Sequence, residues 1–154
     1  MSIKIVVIGN RLMGDDGAAI HIIEKLDKSF EEGDIEVIIG ETDFQYCLSK
    51  IHEGDYIIII DATYFGIEPG TVTVSSLKDI YRLNTNESLL SQHGYSFIKA
   101  LETFYKAIDG ILVGIEGENF DFTLSLSSSI EDNFDNICSE VKEAIWERVN
   151  ILID

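Results

Sequence analysis

The chain has 154 residues, with 28 acidic and 11 basic side chains and a formal net charge of −17 at pH 7. This charge disfavours nucleic acid and anionic membrane surfaces as partners. Hydrophobic residues make up 45% of the chain, enough for one packed domain over residues 1–154. No apolar run approaches the roughly 20 residues that span a bilayer, and no signal peptide is recognisable, so a cytoplasmic protein is expected.

The hydrophobic pattern predicts strands that alternate with helices. In chain order the predicted elements are strand Ile3–Ile8, helix Ala18–Lys28, strand Ile35–Ile39, helix Tyr46–Ile51, strand Tyr56–Ile60, strand Thr71–Val74, helix Ser91–Ala107, strand Ile111–Ile115 and helix Ile130–Ile151, with loops at Asn84–Ser88 and Gly117–Thr123. This alternation with short links predicts an α/β fold of three layers around a mostly parallel sheet.

The loop after the first strand, residues 9–17, reads GNRLMGDDG. Its glycines have the spacing of a phosphate-binding P-loop, but Asp15 and Asp16 stand where that motif has Lys and Ser or Thr. Two carboxylates would repel a phosphate, so we expect the protein to bind no nucleotide. The crevice beyond the strand ends is a common ligand site in α/β sheets, and carboxylates there suit a cation.

Further candidate ligands fall at the same predicted edge of the sheet. Asp61 directly follows the strand Tyr56–Ile60, and His93 lies near the start of the helix that precedes the last strand. Together with Asp15 or Asp16 they would supply two carboxylates and one imidazole, a set that suits an open metal site with room for water or substrate.

Each of these residues also has an ordinary structural interpretation. Asp15 or Asp16 is expected to cap the following helix, which leaves the other carboxylate free. Asp61 is equally suited to a cap or an Asx-turn, and a single histidine such as His93 is more often structural or solvated than a ligand. The convergence of the three groups, rather than any one of them, favours a site.

Other reactive side chains offer no alternative site. Cys47 and Cys138 are far apart without metal-ligand spacing and are expected in the core. His21 and His52 are expected on the surface or on a helix face. The serines among residues 125–129 lie in a polar loop without the context of a nucleophile elbow.

A phosphoacceptor receiver domain shares part of this pattern, since it has an acidic pair after its first strand and an Asp at the end of its third. Two features argue against it. Residues 9–14 separate the first strand from the acidic pair, and residues 114–119 after the last strand contain no Lys. The receiver therefore stays a weaker alternative.

Residues 9–17 resemble the G-N-x-L/M-x-G-D-D/E-G signature of hydrogenase maturation proteases. Residues 60–70 resemble that family's V-D-A-x-x-x-G-x-x-P-G motif, residues 113–116 its V-G-I-E/Q strand, and residues 124–125 its L-S element. The resemblance runs from about residue 4 to about residue 130, with His93 at the place of the family histidine. It implies a three-layer α/β/α sandwich with a five-stranded sheet, in which Thr71–Val74 would be the antiparallel strand.

The resemblance also implies an activity. The family's endopeptidases, classed as aspartyl-type hydrolases, remove a C-terminal extension from the large-subunit precursor of a nickel–iron hydrogenase after nickel insertion. Carried over to this sequence, the catalytic and metal-contacting residues are Asp16, Asp61 and His93, and the nickel is supplied by the substrate. A non-catalytic binder of the nickel-loaded precursor is the alternative.

The sequence departs from the family pattern at three places. The second strand is followed by Gly40-Glu41-Thr42 after Ile39, where many members have an acid at position 39, and Glu41 is close enough to replace it. The segment after residues 60–62, which often carries an acid, is Thr63-Tyr64 here, and Gly117 replaces a proline. None of these positions belongs to the trio, so the departures bear on substrate choice more than on activity.

Overall fold

The computed structural model describes residues 2–31, 34–82, 90–106 and 108–154. Its strands are β1 (Ile3–Ile8), β2 (Ile35–Glu41), β3 (Tyr56–Thr63), β4 (Val72–Ser76) and β5 (Asp109–Glu116). Its α-helices are α1 (Ala18–Leu26), α2 (Phe44–Ser49), α3 (Leu77–Arg82), α4 (Gln92–Phe104), α5 (Ser128–Glu131) and α6 (Phe134–Ile153), and 3-10 turns precede and follow α1 at Gly14–Gly17 and Asp27–Phe30.

The five strands form one sheet in the order β2-β1-β3-β5-β4. The first four are parallel, and β4 is antiparallel to β5. This confirms the predicted α/β fold, including the position of the single antiparallel strand. The carboxyl ends of β1, β3 and β5 lie side by side, since Ile60 pairs with both Val7 and Val113.

Helices cover both faces of the sheet, which explains why all six residues of β1 are buried. Alternate side chains of β1 and β3 point to opposite faces. One face packs against α1 and α6, and the other against α2 and α4. The two buried cysteines were expected in the core and lie there: Cys138 is part of the first packed layer and Cys47 of the second.

Several predicted boundaries are wrong by a few residues. Strand β3 continues through Thr63, because its last residues pair with β5 as far as Glu116. Asp61 therefore lies inside the strand instead of following it. Helix α1 ends at Leu26 and gives way to a 3-10 turn, and the predicted C-terminal helix is two helices, α5 and α6.

The sequence-based prediction did not include helix α3. It ended the fourth strand at Val74 and assigned no element between that strand and the loop at 84–88. That loop prediction and the end of the predicted helix at position 107 lie outside the described residues. Among the helices of the described ranges, none is both long enough and apolar enough to cross a membrane.

Candidate active site

The first loop brings the acidic pair to the sheet edge through two close backbone approaches. A Cβ atom at Gly9 would lie 2.3 Å from the carbonyl oxygen of Asp16, and one at Gly14 would lie 2.5 Å from that of Asn119. Gly14 also has a φ of 57°, in the left-handed region that glycine adopts without strain. Gly9 and Gly14 thus allow the backbone of the first loop to pass close to the backbone at Asp16 and Asn119.

Asp16 is 6% exposed, and both of its carboxylate oxygens accept hydrogen bonds. The backbone N–H of Asn10 donates to Oδ2 at 3.0 Å, and the Tyr64 hydroxyl donates to Oδ1 at 2.8 Å. Burial raises the pKa of Asp16 above its ordinary value, while these two bonds and the charge of His93 oppose that shift. The carboxylate is held in one orientation at the edge of the sheet.

Asp61 is more deeply buried, at 1% exposed. Its Oδ2 accepts the Ser91 hydroxyl at 2.5 Å, and its Oδ1 accepts the N–H of Ala62 at 2.8 Å. Burial raises the pKa of Asp61 well above its ordinary value, the nearby charge of Asp16 raises it further, and the Ser91 bond acts in the opposite direction. The two carboxylates therefore repel each other in a poorly solvated place.

His93 is the second residue of α4 and is half-buried. Its charge acts on Asp16, and the charge of Asp16 acts on Asp61. The structure thus brings the three predicted residues into one electrostatically coupled group. Within the ranges that the structure describes, no set of three or more His, Cys, Asp and Glu side chains is arranged to hold a metal ion as it stands. Shared coordination by the trio stays a prediction.

The expectation that Asp15 or Asp16 caps the following helix is wrong. Met13 occupies the cap position of the 3-10 turn, and no side chain caps it. Asp15 is fully buried and accepts three backbone N–H groups from a distant segment. Those of Glu118 and Asn119 donate to Oδ2 at 2.8 and 3.0 Å, and that of Ser127 donates to Oδ1 at 2.8 Å. Asp15 anchors the loop after β5, and only Asp16 faces the other site residues.

Similarity to known proteins identifies the chain's relatives. A family model described as hydrogenase maturation protease matches residues 20–144. The chain belongs to the hydrogenase maturation protease family. Within this family group, it is 26% identical over 152 residues to the hydrogenase expression/formation protein HoxM of Azotobacter vinelandii, covering 96% of this chain and 73% of that protein.

A sequence and a solved structure from Escherichia coli extend this similarity. The chain is 26% identical over 153 residues to the hydrogenase 2 maturation protease of strain K12, an alignment covering 96% of this chain and 92% of that one. The structure of the E. coli hydrogenase maturating endopeptidase HybD superposes with a TM-score of 0.78 at 24% identity, covering 96% and 94% of the two chains. This chain therefore has the fold of HybD.

The sequence did not reveal two residues that bind the candidate site residues. Tyr64 donates to Asp16, and its ring packs against Phe120 at a centroid distance of 4.2 Å. Burial first, and then the adjacent Asp16, raises the pKa of Tyr64, so its hydroxyl stays a hydrogen-bond donor. Ser91 binds Asp61. The only available signals were that Tyr64 closely follows Asp61 and that Ser91 begins a predicted helix.

Glu41, the predicted replacement for the family acid at position 39, lies at the end of β2 beside the first loop. Its carboxylate accepts the Arg11 Nε–H at 2.6 Å, and Arg11 also forms an ion pair with Glu24. Glu41 and Arg11 line a small cleft of about 270 Å³ with Asn10, whose N–H binds Asp16. The replacement of the family acid of position 39 by Glu41 stays a prediction.

Proposed function

We propose that this protein is an endopeptidase that removes the C-terminal extension of a nickel–iron hydrogenase large-subunit precursor after nickel insertion. We further propose that Asp16, Asp61 and His93 contact the nickel that the precursor carries. Membership of the hydrogenase maturation protease family supports the activity. The observation that carries the assignment to this site is the coupling of two buried carboxylates and one imidazole at a single sheet edge.

The electrostatics of the trio favour a cation that arrives with the substrate. Burial and mutual repulsion disfavour the charged forms of Asp16 and Asp61. An approaching divalent ion reverses this preference, because an opposite charge within a few ångströms stabilises an ionised carboxylate. A precursor without the ion brings no opposite charge, so it would not stabilise the ionised forms of these carboxylates. This difference supports recognition of the nickel-loaded form.

The same residues account for hydrolysis. A metal contact polarises a scissile carbonyl or lowers the pKa of a bound water. A carboxylate that does not bind the metal can then accept the proton of the attacking water.

The test incubates the protein with nickel-loaded and nickel-free precursor and measures the products by mass spectrometry. We expect cleavage of the loaded precursor only. His93→Ala should lose cleavage while the fold survives, because it removes one of the three proposed contacts to the nickel. Asp16→Asn and Asp61→Asn keep the side-chain shape but remove the charge, and both should weaken capture of the loaded precursor.

Asp43→Asn is the matched control. Asp43 caps α2 by accepting the N–H of Tyr46, and Asn caps nearly as well, so cleavage should persist. Equal trimming of nickel-free precursor would contradict nickel-dependent recognition. Stable binding of the loaded precursor without any cleavage would identify the protein as a non-catalytic binder.

A further inference from the structure

The hydroxyl of Ser91 makes two hydrogen bonds that join different parts of the site. It donates to Asp61 Oδ2 at 2.5 Å, and it accepts the N–H of Gly94 at 3.0 Å. The second bond makes Ser91 the N-cap of α4. Ser91 is 1% exposed, so water does not compete for either bond. One buried oxygen atom therefore connects strand β3 to the first turn of the helix that carries His93.

Gly94 allows this connection to be short. A Cβ atom at position 94 would lie 2.0 Å from Asp61 Oδ2 and 3.0 Å from Ser91 Oγ. Any larger residue would displace the carboxylate or the helix. Because Gly94 is helical, its missing side chain costs helix stability. The close approach of α4 to Asp61 is the feature that requires glycine here.

We propose that Ser91 is a positioning residue for the protease reaction, holding the Asp61 carboxylate and the first turn of α4, with His93, in one fixed arrangement. This inference rests on the proposed function and adds to it a residue outside the trio. Loss of the Ser91 hydroxyl removes the donor from Asp61 Oδ2 while its other oxygen still accepts the Ala62 N–H. The carboxylate can then rotate out of the orientation in which the Ser91 hydroxyl holds it.

Two substitutions at this position separate positioning from helix capping. Ser91→Ala removes both hydrogen bonds. Ser91→Gly also removes the donor to Asp61, but glycine is nearly as good as serine at an N-cap. If Ser91 only capped α4, Ser91→Gly would keep nearly the cleavage activity of the wild type. If it positions Asp61, both variants lose activity.

Ser76→Ala is the matched control for lost capping. Ser76 ends β4 and accepts the N–H of Asp79 at 3.1 Å, so the variant removes the same kind of bond from the start of α3. Ser76 pairs with Ile111 near the amino end of β5, at the opposite edge of the sheet from Asp61. Its loss should lower the Tm without changing cleavage.

The experiment measures kcat and KM for nickel-loaded precursor together with the Tm of each variant. We expect Ser91→Ala and Ser91→Gly to lower kcat by about 10–100-fold, as removal of a hydrogen-bond partner from a metal-contacting group does, with KM near the wild-type value. Ser76→Ala should keep the wild-type kcat. Wild-type kcat in Ser91→Gly, or an equal kcat in Ser91→Ala and Ser76→Ala, would overturn the inference.

A second readout does not depend on the proposed function. In NMR spectra, the carboxyl carbon of Asp61 and the ring of His93 should shift together in Ser91→Gly and stay unchanged in Ser76→Ala. Unchanged signals in Ser91→Gly would overturn the positioning role even if the wild type cleaves no precursor. A wild type that cleaves no precursor while these signals shift as expected would instead refute the proposed function alone.

Discussion

At the scale of single residues, Asp15 and Asp16 are neighbours in the chain with different tasks. Asp16 faces Asp61 and His93, and its hydrogen bonds come from Asn10 and Tyr64. Asp15 faces the other way and holds residues more than a hundred positions later in the sequence. Two chemically identical residues of the motif therefore have different roles: Asp15 is structural, and Asp16 is a candidate catalytic carboxylate.

Asp15→Asn is expected to destabilise the fold by about 1–3 kcal/mol, the cost of leaving one backbone donor unpaired. The amide keeps one acceptor oxygen for the N–H groups of Glu118 and Asn119. Its NH₂ group then faces the N–H of the half-buried Ser127 and leaves that donor unpaired. Urea denaturation checks this change in the free energy of unfolding. Asp43→Asn is the control, and equal stability of the two variants would contradict the anchoring role.

At the scale of elements, the end of β5 shapes the segment that leaves β3. Glu116 is 3% exposed and accepts the Thr63 hydroxyl at 2.8 Å and the N–H groups of Phe65 and Gly66, each at 2.9 Å. These three bonds surround position 64 on both sides. They fix the backbone that places the Tyr64 hydroxyl on Asp16.

Glu116→Gln is expected to cost about 1–3 kcal/mol of stability, because an amide can accept the Thr63 and Phe65 bonds but presents a donor to the N–H of Gly66. It should also slow cleavage of the precursor, since Tyr64 would no longer be held over Asp16. Chemical denaturation and the cleavage assay check the two effects. Tyr64→Phe, which keeps the ring packing on Phe120 but lacks the hydroxyl, should reproduce the slower cleavage without the full loss of stability.

At the scale of the whole molecule, the buried acids of the site make folding dependent on pH. In the folded state burial raises the pKa of both Asp61 and Asp16 above the ordinary value of 3.8. The folded protein therefore keeps protons that the unfolded chain releases. Their contribution to stability is fully present below about pH 3.8 and is lost as the pH rises through the folded-state pKa values.

Asp61→Asn should therefore gain stability relative to the wild type as the pH rises from about 4 to 7. The asparagine cannot ionise, so it removes the larger of the two opposing contributions, while Asp16 still acts in both proteins. Urea midpoints measured across this range check the prediction. The urea midpoints of the exposed control variant Asp132→Asn should follow those of the wild type across this pH range. If the midpoints of Asp61→Asn also followed them, burial of the Asp61 carboxylate would not oppose folding.

The sequence by itself determined the order of the five strands and of the longer helices, because the apolar periodicity that defines each of them is local and visible in a short window. It also identified one of the acidic pair, Asp61 and His93 as candidates at one edge of the sheet, and the resemblance to the family selected Asp16 from the pair. The predicted third strand ended too early, at Ile60, because the buried carboxylate of Asp61 interrupts the apolar run. A polar residue inside a strand is recognisable only when its partners are known.

Only the tertiary structure decided what those side chains touch. Asp15 meets Ser127, Glu116 meets Thr63, and Ser91 meets Asp61 across separations of 30 residues or more. Such contacts depend on the path of the whole chain, which brings together groups that no local pattern relates. The sequence thus determined the fold and the chemical groups of the site, while the packing of the loops and of α4 on the sheet determined which carboxylate is structural and which face the candidate catalytic centre.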